Sequence, residues 1–240
     1  MSAALIVFAK PPVPGRVKTR LTPPLSPEDA ARLYESFLQD ALDQYQGLGV
    51  TLRLYLALDG SPPGRGIPAQ HGDRFAQWGD IYTRWVGKNV FRQKGEGLGE
   101  RMRQAFEETF AEGHRRVILI GTDHPTLPSA WIREGFSLLE GGDAVVLGPT
   151  GDGGFYLIGM NESFSQVFEG MTYSHEAVFE QTAARVASCG ASLQMLPEWY
   201  DVDTFDDLKR LVADMRQESA GAMRTRAMLQ RLSERYEGLV

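Results

Sequence analysis

Apolar and polar positions alternate between two periods along the chain. Ala3 to Ala9 is an unbroken apolar run, the pattern of a strand buried on both faces of a parallel sheet. A Pro/Gly-rich loop, Lys10 to Pro24, follows it. Ser26-Pro27-Glu28-Asp29 predicts a helix start: Ser26 can cap, proline suits the first turn, and acids favour the positive helix end. Leu33, Phe37, Leu38, Ala41 and Leu42 then recur at helical spacing until Gly47.

The alternation continues. Strands are predicted over Thr51–Ala57, Val117–Ile120, Ala144–Leu147, Phe155–Met160 and Ser192–Leu196. Ser61–Gly72 reads as a Pro/Gly loop. Helices are predicted over Leu98–Phe110, from a Ser129 cap to Gly141 and Gly142, and over Ser174–Ala187, ending near Gly190. Another starts at a Thr204 cap with Asp207 as its capping-box partner. After a weak break at Glu218–Gly221, a charged helix spans Ala222–Tyr236. This order implies an α/β fold: a mostly parallel sheet covered by helices on both faces, Rossmann-like in its layering. We expect one domain over residues 1–217, with residues 218–240 a helical extension packed on it.

Composition narrows the function. Of 240 residues, 42% are hydrophobic, enough for a substantial core. The net charge of −6 argues against a nucleic-acid polymer as partner, because such binding rests on many cationic phosphate contacts. The lone Cys189 cannot form an internal disulfide, and no cysteine or histidine spacing suggests zinc. The first apolar run is too short for a signal peptide or membrane span, so the expectation is a cytoplasmic protein without membrane insertion.

In open α/β sheets, ligands sit beyond the carboxyl ends of the strands. The loop after the first strand holds Lys10, Arg16, Lys18 and Arg20, with no acid before Glu28. Guanidinium forks and lysine point charges hold phosphate oxygens, and Gly15 would allow close backbone approach. These five residues are the candidate phosphate-binding set; the alternative is a solvated basic loop. It is not a P-loop, which requires Gly-x-x-x-x-Gly-Lys-Ser/Thr.

Asp123, between Gly121 and Pro125 just past a buried strand, is placed for a hard cation, or else caps its own turn. His124 reads as an orienting or packing residue. Gly148-Pro-Thr-Gly-Asp-Gly-Gly-Phe-Tyr156 is a tight loop between strands. It reads as a hairpin, or as an acceptor site in which Asp152 accepts hydrogen bonds from hydroxyls and Gly153 and Gly154 let the ligand close in. Asp201 and Asp203 precede the Thr204 cap and are not needed for capping. Asp203 is the expected second metal ligand with Asp123, and Asp201 is assigned a structural role.

The segments FAKPPVPGRVKTRL, KGEGLGERM, GTDHPTLP, GPTGDGGFYLIGM and WYDVDTFDDL together resemble a bacterial glycosyltransferase-like family, formerly a domain of unknown function. Its members are called nucleotide-diphospho-sugar transferases, some assigned to arsenosugar biosynthesis. More distantly, Lys18-Thr-Arg-Leu21 is similar to a loop of phospholactate guanylyltransferases, and Asp201-Val-Asp-Thr204 to a metal motif of sugar-acid cytidylyltransferases. The resemblance implies a three-layer α/β/α sandwich of the glycosyltransferase-A type. It also implies nucleotide binding at the first loop and Mg2+ or Mn2+ at Asp123. Three functions follow as expectations. The first is a metal-dependent transferase moving a glycosyl group from a nucleotide sugar to a small-molecule acceptor, with Asp123 and Asp152 as its catalytic pair. The second joins an NTP to a phosphorylated small molecule. The third is a non-catalytic nucleotide-binding protein.

Overall fold

The computed structural model describes residues 2–58, 89–217 and 221–239. Seven strands among them form one sheet: β1 (Ala3–Ala9), β2 (Thr51–Leu56), β3 (Val90–Arg92), β4 (Arg116–Ile120), β5 (Ala144–Pro149), β6 (Phe155–Met160) and β7 (Ser192–Met195). Their spatial order is β3-β2-β1-β4-β6-β5-β7. Pairing is parallel except at β6, which runs antiparallel to both β4 and β5. The tight 148–156 loop forces that reversal, because a short connection can join only antiparallel neighbours. β5 thereby points the same way as β1, β2 and β4.

The α-helices among the described residues are α1 (Pro27–Gln46), α2 (Leu98–Ala111), α3 (Ser129–Leu138), α4 (Val178–Ser188), α5 (Phe205–Gln217) and α6 (Met223–Arg235), with short 3-10 turns at Thr19–Leu21 and Ser165–Phe168. The unbroken apolar run of β1 serves both faces. Leu5, Val7 and Ala9 pack with Leu38, Ala41 and Leu42 of α1 and with Ile132 and Phe136 of α3. Ile6 and Phe8 pack with Met102, Ala105 and Phe106 of α2 and with Val186 of α4. Three layers result. A further cluster joins Leu33 and Phe37 of α1 to Leu208 and Leu211 of α5 and Leu229 and Leu232 of α6. The buried Asp40 of α1 accepts hydrogen bonds from the Arg224 and Thr225 amides, at 3.2 and 2.7 Å, so a carboxylate from another helix serves the start of α6.

Several helix ends match their sequence signals. Ser26 Oγ accepts from the Asp29 amide at 3.1 Å. Asp207 Oδ2 accepts from the Thr204 amide at 2.7 Å, and Thr204 Oγ1 accepts from the Asp207 amide at 3.3 Å. Others differ. Ser129 is the first helical residue rather than the cap; Pro128 stands in the cap position and Ser129 Oγ accepts from Arg133 at 3.1 Å. That helix stops at Leu138, before the glycines. Helix α4 starts at Val178, not Ser174, because Ser174 is left-handed at φ 70° and His175 Nδ1 takes the Ala177 amide at 3.2 Å. Strand β3 has three residues, too few to show a period. The Ser61–Gly72 loop and residues 218–220 of the weak break lie outside the described residues. No described helix is long and apolar enough to cross a membrane.

Candidate functional site

The carboxyl ends of β1, β2, β3 and β4 meet around a cavity of about 580 Å3. The first loop enters it directly from β1. Val17 and Leu21 are buried on either side of Lys18 and pin the loop to the body of the protein. Gly15 is left-handed at φ 74°, a conformation glycine adopts without strain. Lys18 is also left-handed, at φ 48° and ψ 39°, opening the single 3-10 turn Thr19–Leu21. For a residue with a Cβ this conformation carries strain. Here it aims the side chain inward.

Lys18 Nζ, on a side chain only 3% exposed, contacts the Asp123 carboxylate and stands 3.0 Å from Asp203 Oδ1. Two oxygens that touch one nitrogen lie within about 6 Å of each other. Residues 80 positions apart in the chain therefore share one point. Their register comes from the backbone: the Val202 amide donates to the Asp123 carbonyl at 2.8 Å, and Asp207 Oδ2 accepts from the Asp203 amide at 3.1 Å. Burial alone would lower the Lys18 pKa, but the charges of Asp123 and Asp203 outweigh it and hold the ammonium above its ordinary range. Burial likewise opposes ionisation of Asp123, yet Lys18 keeps that carboxyl below the usual range. Arg20 Nη1 lies 3.8 Å from Asp203 Oδ2, on a side chain 72% exposed.

Lys10, Arg16, Lys18, Arg20 and Arg101 line the cavity against two carboxylates, Asp123 and Asp203. That surplus of three positive charges stands within a chain of net charge −6. A concave site with such a surplus attracts anions, and phosphate groups suit the mixture of guanidinium and ammonium donors. The structure thus brings the whole first-loop set to the cavity together with Asp123 and Asp203, Gly15 shaping the turn that carries it.

The second glycine loop is placed differently. It leaves the same edge of the sheet, but Asp152, Gly153 and Gly154 do not line the cavity; Phe155 and Tyr156 do. Asp152 Oδ1 accepts from Thr150 Oγ1 at 2.6 Å and from the Gly154 amide at 3.1 Å, the local bonding of a turn. Gly153 is left-handed at φ 84°, and a Cβ there would lie 1.9 Å from the Glu176 carbonyl oxygen. The close approach Gly153 permits is to the protein's own backbone at Glu176. The Gly153 carbonyl also accepts from the Phe179 amide at 2.8 Å.

His124 is buried, with Nδ1 3.4 Å from Asp201 Oδ1 and its ring 5.9 Å from that of Tyr156. Asp201 is accordingly turned toward His124.

Three cavity residues carried no functional reading in the sequence. Tyr34 sits in the apolar rhythm of α1 and gives no signal of its own, yet its hydroxyl lies 2.9 Å from Thr122 Oγ1 and accepts from the Lys10 amide at 3.0 Å. Burial first, then the Asp123 charge, pushes its pKa up to about 12. Gln93, just after β3, donates to the Tyr55 carbonyl at 3.1 Å. Arg101 had a signal: it is a cation in the first turn of α2, where the helix dipole favours acids. It donates to the Gly95 carbonyl at 3.0 Å.

A family profile described as an uncharacterized protein conserved in bacteria (DUF2064) matches residues 67–175. The crystal structure of a candidate nucleotide-diphospho-sugar transferase from Desulfovibrio desulfuricans is 32% identical over 98% of this chain and 96% of that one, with a TM-score of 0.83. The chain belongs to this bacterial family of nucleotide-diphospho-sugar-transferase-like proteins. Its three-layer sandwich is therefore the nucleotide-diphospho-sugar-transferase fold of that relative. The 4-diphosphocytidyl-2C-methyl-D-erythritol synthase of Anaerococcus prevotii, 10% identical over 95% of this chain and 96% of that one, shares the fold at a TM-score of 0.52. No curated protein matches the chain.

Proposed function

We propose that this protein is a transferase that binds the diphosphate of a nucleotide sugar in the cavity beyond β1 and β4 and passes the glycosyl group to a small acceptor. The observation that carries this reading is the cationic surplus around the paired Asp123 and Asp203, at the edge of the sheet where α/β folds bind ligands. Membership in a family with a candidate nucleotide-diphospho-sugar transferase supports it.

The roles follow from placement. Arg16, Arg20, Lys10 and Arg101 hold phosphate oxygens, and Lys18 adds a charge at the junction of the loop with the acids. Asp123 and Asp203 are the residues that would hold Mg2+ or Mn2+. Their donor set fits such an ion, since hard cations take one or two carboxylates and complete the shell with water and substrate phosphates. When bound, the ion would supply charge neutralisation to the departing diphosphate. Asp152, Gly153 and Gly154 act here through the shape of the loop that presents Phe155 and Tyr156, the acceptor side of the cavity. Residues 1–217 form the catalytic domain in this reading, with α6 an extension that braces α1.

The number of cations favours a second reading, nucleotidylyl transfer, because a triphosphate offers more charge to be matched than a diphosphate. Product identity decides between them. Nucleotide sugars should yield a nucleoside diphosphate under the first reading; NTPs with sugar phosphates should yield pyrophosphate under the second. Nucleotide binding without either product would leave a non-catalytic nucleotide-binding protein, and no binding at all would remove the proposal.

A further inference from the structure

Lys18 occupies the place a metal needs. Its ammonium touches Asp123 and stands 3.0 Å from Asp203, on the oxygens of both residues that face each other. A divalent ion bridging this pair requires oxygens at about 2.1 Å, drawn from the same two carboxylates. Two cations on those oxygens would lie within a few ångströms of each other in a part-buried site. Their mutual repulsion disfavours joint occupancy of those oxygens.

We propose that Lys18 and a divalent cation are alternative occupants of the Asp123–Asp203 pair, so that the free protein is closed by its own lysine and the cation enters as Lys18 moves to the substrate phosphates. This deepens the functional reading above and rests on it.

Charge and geometry support the exchange. With Lys18 in place the pair keeps one net negative charge, and Arg20, 3.8 Å from Asp203 on a largely exposed side chain, compensates it weakly. A divalent ion neutralises the pair fully. The left-handed backbone at Lys18, between the buried Val17 and Leu21, aims the lysine at the acids. Its flexible four-carbon stem allows Nζ to leave while the backbone stays fixed. Its destination is close, because Lys18 lines the same cavity as Lys10, Arg16 and Arg20. Two carboxylates alone give an ion a sparse shell, so the exchange favours the ion only when phosphate oxygens complete that shell and give Lys18 a new anionic partner.

The test is titration of the nucleotide-free protein with MnCl2, followed by calorimetry or by the spin-resonance signal of free Mn2+. Removing the resident cation makes the competent state the whole population, so Lys18→Met should bind Mn2+ about tenfold or more tightly than wild type. Lys18→Gln, which keeps a polar end between the carboxylates, should move the same way and serves if the methionine variant does not fold. Mn2+ should also raise the melting temperature of either variant more than that of wild type. Affinity equal to or weaker than wild type overturns the proposal. So does a wild-type crystal with Mn2+ and a nucleoside diphosphate in which Lys18 still contacts both aspartates. Failure of wild type to bind uridine or guanosine diphosphate, with or without Mn2+, overturns the functional reading; the nucleotide-free titration still decides the exchange.

Discussion

The Tyr34 hydroxyl lies 2.9 Å from Thr122 Oγ1 and accepts the Lys10 amide at 3.0 Å, so one side chain of α1 ties together the loops that leave β1 and β4. The two loops carry the cations and the central acid of the site. Tyr34→Phe removes both bonds while keeping the ring, which is buried against Val17 and Ala31. We expect a stability loss of about 1 kcal/mol. If the freed loop is also less ordered, nucleotide affinity should fall about fivefold. Thermal unfolding and calorimetric titration with a nucleoside diphosphate measure the two effects. Wild-type values in both would show that the loops are held elsewhere.

Arg16 and Arg20 line the cavity at the loop's outer reach. Each charge-assisted bond to phosphate contributes roughly 1.5–3 kcal/mol, so Arg16→Ala and Arg20→Ala should each weaken nucleotide binding about tenfold or more. The difference between wild type and either variant should shrink as salt is raised, since part of the attraction is screened. Unchanged affinity in both variants would reduce the loop to a basic surface feature.

The 148–156 loop should respond to mutation as structure rather than as a contact to nucleotide. Gly153→Ala drives a Cβ to 1.9 Å from the Glu176 carbonyl oxygen at a left-handed φ of 84°. Backbone cannot yield as a flexible side chain can, and we expect a loss of about 3 kcal/mol or more in denaturant unfolding. Asp152→Ala, which strips the turn of two hydrogen bonds, should cost about 1–2 kcal/mol with nucleotide affinity unchanged. Turnover strongly reduced in a stable Asp152→Ala protein that still binds nucleotide as wild type does would return that carboxylate to the acceptor site.

Buried phenols set the alkaline limit. Burial pushes the hydroxyls of Tyr45, Tyr156 and Tyr200 well above their usual range, and that of Tyr173 up to about 12. In the unfolded chain these groups ionise near pH 10. A raised folded pKa gives stability that is complete below the unfolded value and is lost as pH rises through the folded one. The melting temperature should therefore drop steeply above about pH 10, together with the appearance of tyrosinate absorbance. Tyrosinate absorbance rising with an ordinary midpoint in a protein that stays folded would contradict this.

Local patterns in the sequence determined the layered α/β fold, because burial on two faces leaves an unbroken apolar strand such as Ala3–Ala9, and helices written at 3.6-residue spacing must cover it. They also determined the chemistry of the first loop, where four cations stand together with no acid before Glu28. The caps at Ser26 and Thr204 were legible because capping is a contact between residues three apart. Only the tertiary structure decided which residues share the cavity. The meeting of Lys18 with Asp203 depends on the parallel pairing that puts β1 beside β4 and on the Val202 amide bonded to the Asp123 carbonyl. Tyr34 looked like any core residue of α1 until that packing set it between two loops. Asp152 looked like a ligand because its sequence signal is the same for a turn and for a site. The glycine beside it carried the same ambiguity: a carbonyl oxygen from residue 176 fills the space where a Gly153 Cβ would stand, and no local pattern can register an atom that arrives from elsewhere in the chain.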